Sequence, residues 1–330
     1  MSVSAIIFTL ACKKGDIERD SGLTTPENIE RFDNIQYGKN KKWNVLDVYR
    51  PKSVQETENQ VAPSIPLSPL PVIVNFHGGG WVYGDKELYQ FYCMRLAQSG
   101  FAVVNFTYRL APRYKFPSPL QDMNSVMEFI FENAEKFGFD THHIFFAGDS
   151  AGAHLASLYT EFCICPELMK NELFPNGLGF EPKREFIPKA LLLNCGMYDV
   201  FYSMNLPRQD DGGVSFISKN VMKDFCGKKM RCGKISDGTV KADAMYKFIS
   251  PVNHITKDFP PCFVMSANQD FLHEQYPFLI AQLEKNGVKH EKRFYGTDEK
   301  PLTHVFHLNM KSEDAEICNQ EEIEFLRQWV

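Results

Sequence analysis

Apolar positions along the chain fall into short continuous runs separated by longer stretches with helical spacing. The runs Val72–Phe76, Phe101–Phe106, Ile144–Ala147, Ala190–Leu193 and Cys262–Ala267 read as buried strands, and Val288–Tyr295 as a further strand. Between them, Leu120, Met123, Met127, Ile130, Ala134 and Phe137 mark one face of a helix, a second helix follows Ser150 to about Phe162, and a third ends at Asn286-Gly287. Strands alternating with helices predict an α/β fold, a mostly parallel central sheet flanked by helices. Alternation from Asn44 to Tyr49 predicts a strand near a sheet edge, and Thr25-Pro26-Glu27 predicts a helix start. The Pro-rich segment from Val61 to Pro71 predicts a surface loop.

Two regions depart from this rhythm. Val3, Ile6, Ile7 and Leu10 recur at helical spacing, which predicts an amphipathic N-terminal helix packed on the protein. The stretch from about 197 to 250 is polar, carries Gly pairs and Lys clusters, and is too long for an ordinary loop. It predicts an inserted helical cap, shared with residues 1 to about 35, on a single domain covering 1–330.

Composition narrows the function. With 36 basic and 41 acidic residues among 330, a net charge of -5 and no basic block, nucleic acid is not an expected partner. No stretch has the 18 or more apolar residues of a membrane span, so stable membrane insertion is not expected. An apolar share of 44% with 28 Phe supports a large core. The nine cysteines are odd in number and scattered, which fits a reducing, cytoplasmic setting better than a disulfide framework. Cys163 and Cys165 read as helix residues, and no Cys-x-x-Cys or His-x-x-x-His spacing suggests a metal. Leu10-Ala11-Cys12 imitates a lipoprotein cleavage site, but the basic residues Lys13 and Lys14 follow the apolar run instead of preceding it. A packed helix is expected; an exported or lipid-anchored chain is the alternative. A homo-oligomer is compatible with the sequence.

Two motifs carry chemistry. Gly148-Asp149-Ser150-Ala151-Gly152 lies between a short strand and a helix, where small flanking residues allow the tight turn that exposes a serine hydroxyl. The pattern is weak alone, and its strand-turn-helix setting is what strengthens it. His77-Gly78-Gly79-Gly80-Trp81 directly follows a buried strand, and consecutive glycines leave backbone N–H groups uncovered for a developing oxyanion.

Together with Tyr108-Arg109-Leu110-Ala111-Pro112, Ser250-Pro251-Val252, Asp270-Phe271-Leu272, the His304 region and Leu46–Pro51, these motifs stand in family order. The chain resembles α/β-hydrolases of the hormone-sensitive-lipase-like esterase family over about residues 46–307. The resemblance implies an α/β-hydrolase fold and a triad in the order Ser, Asp, His: Ser150, Asp270 and His304. Glu274 is the other acid considered, but it is expected to start the next helix. His307 is the other base considered and reads as a surface histidine. The family usually has His-Gly-Phe where this chain has His304-Val305-Phe306, a departure in local backbone. His77 and His154 read as structural.

The resemblance further implies an oxyanion hole of the N–H groups of Ala151, Gly78 and Gly79. Trp81 and Tyr83 are candidates for the pocket wall, and Tyr198, Phe201 and Tyr202 for contacts to the leaving group. The expected reaction is hydrolysis of a short-acyl carboxylic ester through an acyl-enzyme, with no cofactor. An acetyl esterase acting on plant-polymer oligosaccharides, or an amide hydrolase, uses the same triad and stays open. A non-catalytic receptor on the same fold is disfavoured because all three triad positions are filled. An oligopeptidase is disfavoured because no large extra domain precedes the hydrolase segment.

Overall fold

A computed structural model describes residues 2–52, 69–207 and 214–330. The chain runs α1 (Val3–Asp20), β1 (Ile29–Gln36), β2 (Val45–Pro51), β3 (Leu70–Phe76), α2 (Gln90–Ala97), β4 (Ala102–Phe106), α3 (Ser118–Glu132) and α4 (Ala134–Phe137). It continues through β5 (Phe139–Asp149), α5 (Ala151–Ile164), β6 (Ala190–Asn194), α6 (Val200–Asn205), α7 (Val214–Cys226) and α8 (Lys241–Phe248). The last elements are β7 (Cys262–Ala267), α9 (Gln275–Lys285), β8 (His290–Tyr295) and α10 (Glu313–Arg327).

The strands form one eight-stranded sheet in the order β1-β2-β4-β3-β5-β6-β7-β8. β1, β2 and β4 pair antiparallel, and from β4 to β8 every pairing is parallel. β3, β4, β6 and β7 are almost wholly buried, as continuous Val, Ile, Leu and Phe runs require when helices cover both faces. The core correspondingly divides into two apolar clusters, carried by alternate residues of the same strands. Val72 and Val74 point one way, Ile73 the other. This is the α/β-hydrolase architecture with helices beyond the sheet between β6 and β7.

Four expectations are corrected. Thr25-Pro26-Glu27 starts no helix: Ile29 N–H bonds back to Pro26 O, closing a turn that delivers β1 to the sheet. Residues 29–36 are therefore an edge strand rather than part of a cap, and β2 lies next to it, near the sheet edge as its alternation predicts. The helix expected up to Phe137 breaks at Asn133 into α3 and α4. Finally, α1 is longer than expected and turns its apolar stripe outward. Val3, Ile7 and Leu10 are 72%, 47% and 66% exposed, whereas Ala5 is buried and Phe8 packs on the core. Most of the expected Val61–Pro71 loop lies outside the described residues. No helix among the described residues is long and apolar enough to cross a membrane.

Candidate active site

Ser150 occupies the turn from β5 into α5 with φ 52° and ψ -117°, in the left-handed half of backbone space. Its N–H donates to Asn194 O at 2.9 Å, fastening the turn to the end of β6. The flanking glycine is dictated by packing: a Cβ on Gly152 would stand 2.0 Å from Phe76 O at the end of β3. Only a glycine lets the helix start this close to the neighbouring strand.

Asp270 follows β7 and is 1% exposed. Its Oδ1 accepts from His304 Nδ1 at 2.6 Å and from Leu272 N–H at 2.8 Å, while Oδ2 accepts from Ser266 Oγ at 2.8 Å. Burial alone would raise this carboxyl, but the His304 charge and hydrogen bond, with the Leu272 and Ser266 donors, hold it below the usual carboxylate range. It is therefore an anion at neutral pH. Donation from Nδ1 leaves His304 Nε2 as the ring's basic lone pair. The next residue, Val305, takes φ 54°, so valine here adopts the left-handed conformation that glycine adopts freely.

Ser150 and His304 line one cavity of about 120 Å³, together with Gly78, Gly79, Tyr83 and the inner face of α1: Phe8, Cys12, Asp16 and Arg19. A smaller recess of about 30 Å³ adjoins Ser150 on the side of Gly80, Trp81 and Ala151, closed by Phe8, Val221 and Met222. Met197, Met222, Phe271 and Leu272 separate it from an apolar groove of about 280 Å³.

The glycine loop differs from expectation at one position. Gly78 N–H donates to Tyr89 Oη at 2.7 Å, and Tyr89 in turn donates to Asp149 Oδ2 at 2.9 Å. That N–H is committed, whereas no backbone hydrogen bond among the described residues uses the N–H of Gly79 or Gly80. Gly79, with φ 101°, has no room for a side chain, since a Cβ would lie 2.2 Å from Tyr83 O. Nothing in the sequence distinguishes Gly80 from Gly78; the path of the loop does. Ala151 is the first residue of α5, so its N–H is one of the uncapped donors at a helix N-terminus.

The remaining candidates divide. Trp81 walls the recess, stacked on Phe225 at 4.9 Å, with Nε1 donating to His154 Nδ1 at 3.3 Å. Tyr83 lines the larger cavity and donates to Asp16 Oδ2 at 2.8 Å. Tyr198 is a correction: its ring is 1% exposed and folds under Gly196, and it lines none of the three cavities, a place Met197 takes instead. Phe201 and Tyr202 also lie away from these cavities, with Tyr202 against Phe278. Glu274 borders the apolar groove just before α9. His307 is not a surface residue. It is 1% exposed, edge-on to Tyr92, and burial with nearby positive charge pushes it down to about 3. His77, stacked on Tyr108 at 3.9 Å, and His154 are both buried and pushed down to about 4 by that burial. They stay neutral, His77 at the start of the glycine loop and His154 bonded to its Trp81.

Cys195 Sγ, Asp270 and His304 offer donor atoms within 4.8 Å of one another, but Asp270 and His304 spend theirs on each other. Cys163 is a buried residue of α5 and Cys165 its C-terminal cap.

The sequence profile of the BD-FAE family matches residues 46–275. Esterase LipQ of Mycobacterium tuberculosis is 24% identical over 72% of this chain and 48% of its own length. Carboxylesterase NlhH of the same organism is 34% identical over 69% of this chain and 65% of its own. The chain thus spans between about half and two thirds of the length of these curated relatives. Among solved structures, esterase B from Lactobacillus Rhamnosis superposes with a TM-score of 0.79 at 21% identity, covering 98% of this chain and 93% of that one. An esterase of Pyrobaculum calidifontis gives 0.69 at 21%, covering 99% and 94%. At such identities the likeness is one of fold.

Proposed function

Because the chain belongs to the BD-FAE family of the α/β-hydrolase-fold esterase and lipase superfamily, we propose that it is a carboxylic-ester hydrolase working through Ser150, His304 and Asp270. Within that superfamily, we read the HGGGW and GDSAG pair as placing it beside the hormone-sensitive-lipase-like esterases. The observation that carries the reading is the 2.6 Å bond from His304 Nδ1 to the buried Asp270, with Ser150 on the wall of the same cavity as His304. Hydrogen bonds between nucleophile and base often tighten only when substrate arrives; the bond that orients the base is already made.

The mechanism follows from these atoms. Ser150 Oγ attacks the ester carbonyl as His304 Nε2 takes its proton, and Asp270 stabilises the imidazolium. The oxyanion is met by the N–H groups of Ala151, Gly79 and Gly80. Each such donor is worth about 3–4 kcal/mol in the transition state. The imidazolium then protonates the departing alcohol, and water, deprotonated by the same imidazole, releases the acid.

Because His304 must reach the alcohol oxygen, the alcohol occupies the cavity that His304 lines, beside Tyr83, Asp16 and Arg19. The acyl chain takes the recess on the Trp81 and Ala151 side. Its volume of about 30 Å³ suits two or three carbons. α1 and the α6–α8 region cap the site.

Ser150→Ala tests this directly. It should abolish p-nitrophenyl acetate hydrolysis while the circular dichroism spectrum stays unchanged, and a fluorophosphonate should label Ser150 in the parent protein. An active Ser150→Ala protein, or one labelled elsewhere, overturns the assignment. A parent protein that binds esters without turnover is a receptor.

A further inference from the structure

Behind the nucleophile turn lies a carboxyl that the mechanism above does not use. Glu322 sits on α10 with no exposed surface and lines neither cavity beside Ser150. Both its oxygens are bonded: Oε1 accepts from Asn194 Nδ2 at 2.6 Å, and Oε2 accepts from Tyr92 Oη at 2.9 Å. Asn194 is the last residue of β6, opposite Asp149 in the ladder. Its carbonyl oxygen is the acceptor, at 2.9 Å, for Ser150 N–H. The side chain of Asn194 thus ties the end of β6 to α10, and Glu322 ties α10 on to α2, while the main chain of Asn194 holds Ser150. Cys195, the next residue, has φ 47°, so this strand end is itself in a strained conformation. Ser150, at φ 52°, keeps its own unfavourable backbone only where the surroundings over-determine it.

We propose that Glu322 is a positioning residue for the reaction, holding the Ser150 backbone in its attacking geometry through Asn194. The proposal rests on Ser150 being the nucleophile. A carboxyl is an expensive way to fill this space. Apolar packing would serve stability as well, whereas two fixed hydrogen bonds specify where Asn194 and Tyr92 stand.

The protonation state gives the proposal a signature that simple packing lacks. Burial pushes Glu322 up to about 8, with the Tyr92 and Asn194 bonds opposing and the Asp149 charge adding to the rise. Near it stand Tyr92 from α2, Asp149 from β5 and Cys318 from α10, with Cys93 and His307 on the other side of Tyr92. Burial pushes both thiols and the phenol upward, and His307 down to about 3, so these four are neutral at pH 7. Asp149, pushed up by burial to about 6, is mostly ionised there. Below about pH 8 Glu322 is a neutral acid, Oε1 accepting from Asn194 and the proton on Oε2 shared with Tyr92 Oη; above it both oxygens accept and a second anion appears beside Asp149. That repulsion acts on the ends of β5 and β6, which carry the nucleophile and, through Tyr89, Gly78.

Glu322→Gln and Glu322→Leu separate the possibilities. Glutamine cannot ionise but keeps both contacts, its oxygen accepting from Asn194 and its NH₂ donating to Tyr92. Leucine removes both. With p-nitrophenyl acetate, Glu322→Leu should lower kcat at least tenfold with KM within twofold, and slow phosphonate labelling of Ser150 in step. Glu322→Gln should stay within threefold of the parent at pH 7 and hold its kcat from pH 8 to 9.5, where the parent declines. A parent-like kcat in Glu322→Leu, or a loss in Glu322→Gln as deep as in leucine, overturns the proposal. Should leucine prevent folding, the pH profile of Glu322→Gln decides: a decline matching the parent's overturns it. Failure of the underlying reading looks different, since the parent itself would then not be labelled at Ser150.

Discussion

Asp270→Asn isolates the charge of the triad acid from its shape. Two donors converge on Oδ1, the Leu272 N–H and His304 Nδ1–H, so the amide oxygen takes that place. The amide nitrogen then takes the place of Oδ2 and donates to Ser266 Oγ, whose hydroxyl rotates to let it accept. The imidazole therefore keeps its orientation and tautomer and loses only the anion beside it. For a charge separation of about 4 Å and an effective dielectric constant of about 20, that anion stabilises the imidazolium by about 4 kcal/mol. At about 1.4 kcal/mol per decade, kcat should fall by about a thousandfold. Asp270→Ala also frees the ring to rotate and should fall further. Initial rates with p-nitrophenyl acetate at pH 7 to 9, on protein checked by circular dichroism, give the comparison. A kcat for Asp270→Asn within tenfold of the parent refutes the reasoning, because the buried anion at 2.6 Å would then do nothing for the transition state.

His304→Ala should lower kcat by several orders of magnitude, whereas His307→Ala should act mainly on thermal stability, because its buried ring packs on Tyr92. A reversal of the two effects reassigns the base. Acetyl and propionyl p-nitrophenyl esters should outpace the octanoyl ester, and Met222→Ala, thinning the wall between recess and groove, should shift the preference toward longer chains. An unchanged profile would place the acyl chain elsewhere. Deleting residues 1–20 removes Phe8, Cys12, Asp16 and Arg19 from the cavity wall and should alter alcohol selectivity while Ser150 remains open to a small phosphonate. Loss of labelling would mean that α1 shapes the nucleophile turn itself.

Every strand but β1, and the sharp turn at Ser150, was legible because each rests on a local signal. A buried parallel strand needs a continuous apolar run, and the serine turn needs small residues where a Cβ would strike the next strand. Features decided by long-range packing were not legible. The apolar spacing of α1 announced a helix but named the wrong face, because Phe8, Cys12, Asp16 and Arg19 face a cavity that takes polar as well as apolar atoms. Gly78 and Gly80 are equivalent as letters; only the Tyr89 hydroxyl beneath the loop commits one N–H and leaves the other. Glu322 lies 172 positions beyond Ser150, on a helix whose sequence reads as acidic and solvated. Its neighbours Cys318, Asn319 and Ile323 mark a buried stripe, yet nothing local says that a carboxyl belongs in it.

Left-handed backbone at residues other than glycine occurs at five described positions: Asn34, Trp81, Ser150, Cys195 and Val305. Asn34 lies at the irregular step in the β1–β2 pairing, where its N–H reaches Asp47. The other four surround the candidate site, one each in the glycine loop, the nucleophile turn, the end of β6 and the histidine loop. Such conformations cost about 1–2 kcal/mol per residue, and more for a β-branched side chain such as that of Val305. They survive only under external constraint, which the structure supplies by name: Trp81 through His154 and Phe225, Ser150 through Asn194, Cys195 through its N–H to Met265 O, and the histidine loop through Asp270. The rigid sheet thus holds four unfavourable turns at once around the candidate site. This also explains why Val305 is tolerated where glycine is usual. The Asp270–His304 bond and the packing of Phe306 and Leu308 fix the loop on either side, so the conformation is imposed by its surroundings rather than chosen by the residue.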